Sequence, residues 1–136
     1  MKGRKPKLAV VNGNPVTGLC PRAPDWLSAE ARSEWDRAAP ELYARNLLHP
    51  DTLATLEAYC VAAGQVRETE VIMAAEGRIM STSEGPKPHP AFKMQGAAMR
   101  EARLLAAELS LTPHRRGLKG KDESNKNDKW NDELLA

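Results

Sequence analysis

Aromatic side chains are scarce in this chain of 136 residues, where Phe, Tyr and Trp together make up 4%. β-Sandwiches and barrels rely on aromatic and β-branched residues, so the composition argues against them. Hydrophobic residues still amount to 41%, and many of them are Ala. This combination is typical of closely packed helices, and the length is that of one domain.

Long apolar runs are also missing. No run approaches the ~20 residues of a membrane span, and no signal peptide follows the charged first residues. The two cysteines lie in different contexts, Cys20 in a Pro-rich segment and Cys60 in a helical pattern, so no disulfide is expected. We therefore expect a soluble cytoplasmic protein with reduced thiols.

Recognisable catalytic and metal-binding motifs are absent from the sequence. The three histidines each adjoin a proline, none has metal-ligand spacing, and we interpret them as loop residues: His49, His89 and His114. No Gly-rich phosphate loop or nucleophile elbow occurs. Two carboxylate pairs at helical spacing are interpreted as solvated faces: Glu30 with Glu34, and Glu101 with Glu108. The sequence thus predicts no enzyme activity, no cofactor and no metal site.

Charge is unevenly distributed, although the formal net charge is only +2. Residues 8–113 carry 10 basic and 13 acidic side chains, and residues 114–136 carry 6 and 5. Residues 1–7 carry four cations and no acid: Lys2, Arg4, Lys5 and Lys7. Such a basic arm suits contacts with a phosphate backbone. No aromatic residues are interleaved, so base stacking is not indicated. Many N-termini carry lysines for solubility alone, and this explanation of the arm is equally good.

Three main helices are predicted. The first begins near Ser28, is kinked or restarted at Pro40 and ends at Asn46 in a left-handed cap. The second begins with Asp51 as N-cap and ends at about Glu76, before a glycine. Its apolar residues exceed one face, which predicts a central helix or one shared with a neighbouring subunit. Within it Gly64 costs about 1 kcal/mol relative to Ala, which a close helix crossing would explain.

A small hairpin or ordered loop is predicted for residues 78–89, with a turn at 84–86. The third helix starts with Pro90 at its first position. Its inner face is predicted to consist of Phe92, Gln95, Ala98, Met99, Ala102, Leu105, Ala106 and Leu109. Trp26 and Trp35, which flank the first helix, are expected in the core. A short fourth helix or single turn bearing Arg115 and Arg116 is predicted after Thr112-Pro113.

The last part of the chain is too polar to join a core. No apolar residue occurs between Leu118 and Trp130, so residues 117–136 are predicted to be a disordered tail. It ends in an amphipathic cluster that includes Trp130, Leu134 and Leu135. A lone Trp in a polar tail indicates a docking motif. The expected organisation is therefore an extended arm (1–24), a helical domain (25–116) and this tail, in an all-α fold.

An ordered set of short motifs resembles a family of bacteriophage terminase small subunits. The resemblance covers residues 3–116 and is carried by Gly3-Arg4-Lys5-Pro6, Gly13-Asn14-Pro15, Pro24-Asp25-Trp26-Leu27, Glu34-Trp35, Ala39-Pro40-Glu41-Leu42, Leu47-Leu48, Asp51, Tyr59-Cys60, His89-Pro90-Ala91 and the run from Leu105 to Pro113. Two departures are Ser110, where the family usually has Gly, and His114, where it usually has Ser.

The resemblance implies viral DNA packaging and virion assembly in the host cell cytoplasm. Such subunits form homo-oligomeric rings of about eight to ten copies, bind viral double-stranded DNA and regulate a large ATPase and nuclease subunit. Candidate DNA contacts are Lys2, Arg4, Lys5, Lys7, Arg115 and Arg116. Small or apolar candidates for the subunit interface are Ala62, Gly64, Ala97, Ala98 and Leu104. Candidate docking residues for the large subunit are Trp130, Leu134 and Leu135.

Two other functions remain open from the residues alone. One is a dimeric transcription regulator of the helix-turn-helix type, because the connection at 46–50 is short. Neither flanking helix is strongly basic, which counts against it. The other is a scaffolding protein that binds no nucleic acid.

Overall fold

A computed structural model describes residues 18–115 of the chain. The elements in order are α1 (Ala29–Ala44), α2 (Leu53–Glu76), β1 (Ile79–Thr82), β2 (Gly85–Pro88) and α3 (Pro90–Glu108). The prediction of a mostly helical fold, with three main helices and a small element before the third, is confirmed. That element is a two-stranded antiparallel hairpin.

Helix α1 begins and ends where its capping residues predict. The hydroxyl of Ser28 accepts a hydrogen bond from the N–H of Ala31 at 3.3 Å. At the other end Asn46 has φ of 53°, and the N–H of Leu47 bonds back to the carbonyl of Leu42 at 2.9 Å. This is a Schellman motif, which satisfies carbonyls that the helix end would otherwise leave unpaired.

The predicted restart at Pro40 is not observed, because α1 runs through this residue as one helix. Pro40 lies on the exposed side of α1. Because proline has no N–H, the carbonyl of Asp36 lacks its usual hydrogen-bond donor in the helix. This carbonyl lies on a side of α1 that is open to water.

Helix α2 begins one residue later than predicted, with Thr52 rather than Asp51 as N-cap. The Thr52 hydroxyl is used within the preceding turn, where it accepts from the N–H of His49 at 2.9 Å. The helix ends at Glu76 as expected, followed by Gly77 at φ of 92°. Only glycine adopts this conformation readily.

The hairpin pairs Ile79 with Pro88 and Thr82 with Gly85. Its turn residues are Ser83 and Glu84, so the predicted turn at 84–86 is displaced by one residue toward the N-terminus. Gly85 has φ of 108° and belongs to β2. Both strands are solvent-exposed along nearly their whole length.

Both α1 and α3 pack against α2, which is the central helix. The core lies mainly between α1 and the first half of α2, and Leu109, which follows α3, packs against it. Its fully buried side chains include Leu42, Leu48, Leu56 and Cys60. The prediction that Trp35 lies in the core is confirmed. Its indole N–H donates to the carbonyl of Pro21 at 3.1 Å.

Candidate functional site

Helices α1 and α2 lie antiparallel and stay in contact along α1. At the start of α1 the Ser28 hydroxyl donates a hydrogen bond to the Glu68 carboxylate, and Ala31 packs against Gly64. Further along α1 a buried carboxylate accepts a hydrogen bond from the Tyr59 hydroxyl. Gly64 is needed for this approach. A Cβ added there would lie 2.8 Å from the backbone nitrogen of Ala31, so the close helix crossing predicted from Gly64 is confirmed.

The carboxylate in this interface belongs to Glu34, which the sequence pattern placed on a solvated face. That interpretation is wrong, since only 2% of its side chain is exposed. Glu34 accepts hydrogen bonds from Tyr59 at 2.6 Å and Arg67 at 3.1 Å, and it forms a two-point ion pair with Arg37. Burying a charge is tolerated only with such partners. The network locks the register of α1 on α2.

The titration of these groups follows from their surroundings. Burial alone would raise the pKa of Glu34, but hydrogen bonds from Arg37 and Tyr59 and the charges of two arginines outweigh it and lower the pKa. The pKa of Tyr59 is raised to about 12, mainly by burial and secondly by the hydrogen bond to Glu34. Burial also raises the pKa of the Cys60 thiol to about 12, so it is a packing residue rather than a nucleophile.

His89, interpreted from sequence as a loop histidine, is also buried and caps α3. Its Nδ1 accepts the N–H of Ala91 at 3.0 Å, and its Nε2 lies 2.8 Å from a carboxylate oxygen of Glu76. The ring therefore carries its proton on Nε2 and ties the end of α2 to the start of α3. This bond fixes the hairpin between the two helices.

An apolar groove of about 550 Å³ lies between α2 and α3. We call it the α2–α3 groove; it is lined by Trp26, Ala58, Val61, Ala62, Gln65, Met94, Ala97, Ala98, Glu101 and Leu105. The lining residues that are buried, Ala62 and Ala98, are small, whereas Trp26 and Met94 are large and exposed. Trp26 is 64% exposed, so its predicted place in the core is wrong.

A second apolar surface lies on the other side of α3. Phe92 and Met99 are separated by seven residues and are 56% and 50% exposed, so both were wrongly assigned to the inner face. Phe92 is two positions from the groove residue Met94, and Met99 is two positions from the groove residue Ala97. Two positions correspond to about 200° around a helix, so Phe92 and Met99 point away from the groove. We call this second surface the Phe92–Met99 ridge. The chain thus exposes apolar side chains on both flanks of α3.

The residues predicted for a subunit interface divide into three groups. Ala62, Ala97 and Ala98 come together in the α2–α3 groove. Leu104 is exposed but lies outside that groove. Gly64 is buried against α1 of the same subunit and is corrected to an intramolecular packing residue.

Most residues predicted for DNA and large-subunit contacts lie outside the described residues. This holds for the four arm cations, for Arg116 and for the docking cluster Trp130, Leu134 and Leu135. Arg115 is exposed in a helical turn that follows α3.

Sequence reasoning missed Trp26 and Met94 as surface residues. A signal was present for Met94, because α3 has apolar residues at spacings that cannot all face α2. Trp26 carried no such signal, since it precedes the helix and its burial depends on how the entering chain is packed.

Among residues 18–115 no helix is long and apolar enough to cross a membrane. Within the same range no three His, Cys, Asp or Glu side chains are grouped as metal ligands.

A family model described as phage terminase, small subunit matches residues 31–125, that is 95 of the 136 residues. The chain belongs to the phage terminase small subunit family. The match spans α1 to α3 and begins after the basic arm. Comparisons with curated proteins and with solved structures give no significant match. The resemblance seen in the sequence is thereby confirmed at the level of the family, which supports a role in phage DNA packaging.

The geometry of this terminase subunit counts against the helix-turn-helix alternative. In that motif two helices cross at about 90–120° and contact each other near the turn. Here contacts continue from the turn to Ser28 and Glu68, at the far end of α1. The two helices form an antiparallel hairpin instead.

Proposed function

We propose that this terminase small subunit forms a closed ring, recognises viral double-stranded DNA and regulates the large ATPase and nuclease subunit without a catalytic centre of its own. It would act in the host cell cytoplasm during virion assembly. Family membership supports the packaging role. The observation that carries the ring is the pair of different apolar surfaces on opposite flanks of α3.

Two different surfaces favour head-to-tail assembly. A two-fold dimer uses one self-complementary patch on both subunits, whereas a ring joins two unlike patches. The α2–α3 groove is concave, and its buried lining residues, Ala62 and Ala98, are small. The Phe92–Met99 ridge projects large apolar side chains into solvent. In our proposal the ridge of each subunit enters the groove of the next.

The groove contains three of the residues proposed from sequence for this contact, Ala62, Ala97 and Ala98. Their small side chains leave room for Phe92 and Met99 of the neighbouring copy. Burying both flanks would remove from water the apolar side chains that a single subunit exposes, which is the usual driving force of association.

A complementation experiment tests this arrangement. Ala97→Arg blocks the groove but leaves the ridge intact, and Phe92→Asp does the reverse. Both positions are exposed, so the fold is expected to survive. We expect each variant alone to be monomeric and an equimolar mixture to give a 1:1 heterodimer, because one groove and one ridge remain.

Ser33→Arg is a matched control that introduces the same side chain as Ala97→Arg at an exposed position of α1, outside the residues that form either surface. It should retain the ring. Native mass spectrometry reads out all four samples. Unchanged rings in either blocking variant, or a mixture that stays monomeric, would rule out the groove-and-ridge contact.

DNA binding is proposed to involve the basic arm. Residues 1–7 carry four cations, whereas residues 18–115 carry 11 basic and 13 acidic side chains, a net charge of −2. Four phosphate contacts correspond to a salt slope of about −3.6, at about −0.9 each. Replacing Lys2, Arg4, Lys5 and Lys7 by Ala should flatten the slope by this amount and leave the ring intact. An unchanged slope would assign the arm to solubility alone.

We also propose that the terminal cluster of Trp130, Leu134 and Leu135 docks onto the large subunit. Trp130 and Leu134 would share one face of a short helix. A ring presents many such segments, so weak contacts add through avidity. Deletion of residues 128–136 should preserve assembly and DNA binding and abolish stimulation of the large subunit's ATPase. Loss of the ring, or unchanged stimulation, would contradict this.

A further inference from the structure

Helix α3 carries its charges on separate sides. It carries three cations: Lys93, Arg100 seven residues later, and Arg103 three residues after that. At 100° per residue they occupy a sector of about 80°. The two acids of its second half, Glu101 and Glu108, are seven residues apart and lie on the groove side, where Glu101 lines the α2–α3 groove.

The three cations have no acidic neighbours on their own helix. No Asp or Glu occurs three or four positions before or after any of them. Arg100 and Arg103 are instead three positions apart, a spacing at which like charges repel by a few tenths of a kcal/mol. All three side chains are exposed. They form no ion pair with a carboxylate of residues 18–115.

Several other cations of the described chain differ in this respect. Arg37 and Arg67 pair with Glu34, and elsewhere Arg78 pairs with Glu70 and Lys87 with Glu84. Of the cations in residues 18–115 that form no ion pair, three lie on one face of α3, although these residues are acidic as a whole.

Gly96 lies among these cations and is an independent indication of a contact. A glycine within a helix costs about 1 kcal/mol relative to Ala. At Gly64 the packing of α1 explains it, but a Cβ at Gly96 would meet only the guanidinium tip of Arg100, at 3.8 Å. Nothing among residues 18–115 requires this glycine. A glycine also lets another molecule approach the helix backbone closely.

We propose that the α3 basic face, formed by Lys93, Gly96, Arg100 and Arg103, contacts the phosphate backbone of duplex DNA. Lys93 and Arg103 are ten residues apart, about 15 Å along the axis. A row of that length can meet several phosphates of one strand, whose charges recur every ~3.4 Å along the duplex axis. This inference rests on the proposed DNA binding and adds a second contact surface to the arm.

The test uses the full chain and a fluorescently labelled duplex of arbitrary sequence, with binding measured by anisotropy from 50 to 200 mM salt. One variant carries Lys93→Gln, Arg100→Gln and Arg103→Gln. The control removes three other exposed cations, by Arg32→Gln, Arg78→Gln and Lys87→Gln. Native mass spectrometry verifies the same assembly in both.

We expect the α3 variant to reduce the salt slope by about 2.7 for each subunit whose α3 contacts DNA. Over the fourfold rise in salt, the unmodified chain then loses about 40-fold more affinity than the variant. The control should change the slope much less. Equal slopes in the two variants would overturn the inference, because charge alone would then explain the binding.

A second variant covers the case in which the triple substitution disturbs assembly. Lys93→Gln removes a single charge at a position about 100° around α3 from Phe92, so it should reduce the salt slope by about 0.9 for each contacting subunit without altering the ring. Unchanged binding by this variant and by the single variant Arg100→Gln would refute the contact. If the α3 variant keeps its DNA affinity but loses binding to the large subunit, the face serves an acidic protein surface and the inference is wrong. No DNA binding by the unmodified chain at 50 mM salt would overturn the proposed function itself.

Discussion

Gly64→Ala tests the packing on which the described fold depends. The added methyl would lie 2.8 Å from the backbone nitrogen and 3.1 Å from the Cα of Ala31. Backbone atoms cannot swing aside, so α1 must move away from α2. Overpacking of this kind costs about 1–3 kcal/mol. Alanine regains about 1 kcal/mol of helix propensity, so the net effect is a loss that reaches about 2 kcal/mol.

Gly96→Ala makes the same chemical change on α3, where the new methyl meets only the mobile end of Arg100. The gain in helix propensity is common to both variants, so their difference in free energy of unfolding isolates the packing cost. We expect Gly96→Ala to be the more stable by about 1–3 kcal/mol. For a domain of this size each kcal/mol corresponds to about 4–8 °C in Tm.

Urea unfolding followed by circular dichroism measures this difference. Both variants are compared at one protein concentration, because assembly itself adds stability. Equal stability of Gly64→Ala and Gly96→Ala would refute the close α1–α2 crossing, and with it the register set by the buried carboxylate.

Three further predictions concern capping and buried charge. Glu34→Gln should lower the free energy of unfolding by about 1–3 kcal/mol, because hydrogen bonds to a charged acceptor are lost; urea unfolding at pH 7 measures it. Ser110 is held at φ of 57°, so Ser110→Gly should raise Tm, with a gain of about 0.5–1 kcal/mol; a lower Tm would show that the left-handed cap is not strained. Stability should also fall at both ends of the pH range, as urea midpoints would show. The lowered pKa of Glu34 predicts loss as the pH falls below its ordinary 4.5, and the raised pKa values of Cys60 and Tyr59 predict loss as the pH rises from about 9 toward 12. Glu34→Gln should remove part of the acid-side loss and also reduce the alkaline loss, because the Glu34 carboxylate contributes to the raised pKa values of Tyr59 and Cys60.

Local signals predicted the elements well. Ser28, Asn46, Gly77 and Pro90 each act through their own backbone conformation or hydrogen bond, so the helix ends could be located from the chain alone. The hairpin could be placed for the same reason, although its turn was displaced by one residue.

The surfaces were harder to predict, because exposure depends on which helix lies opposite. Phe92 and Met99 fit a helical apolar stripe, yet α2 covers the neighbouring sector of α3 instead. Glu34 was misjudged in the converse way: a carboxylate at helical spacing gives no indication that Arg67 and Tyr59 will come from another helix to bury it. The unpaired cations of α3, in contrast, could have been recognised from their i±3 and i±4 neighbours.

The central claim is that subunits join groove to ridge into a closed ring, and the mass of the assembly tests it most directly. Native mass spectrometry of the full chain at micromolar concentration in moderate salt should give one closed oligomer of about eight to ten subunits. A monomer or a dimer under these conditions would contradict the account.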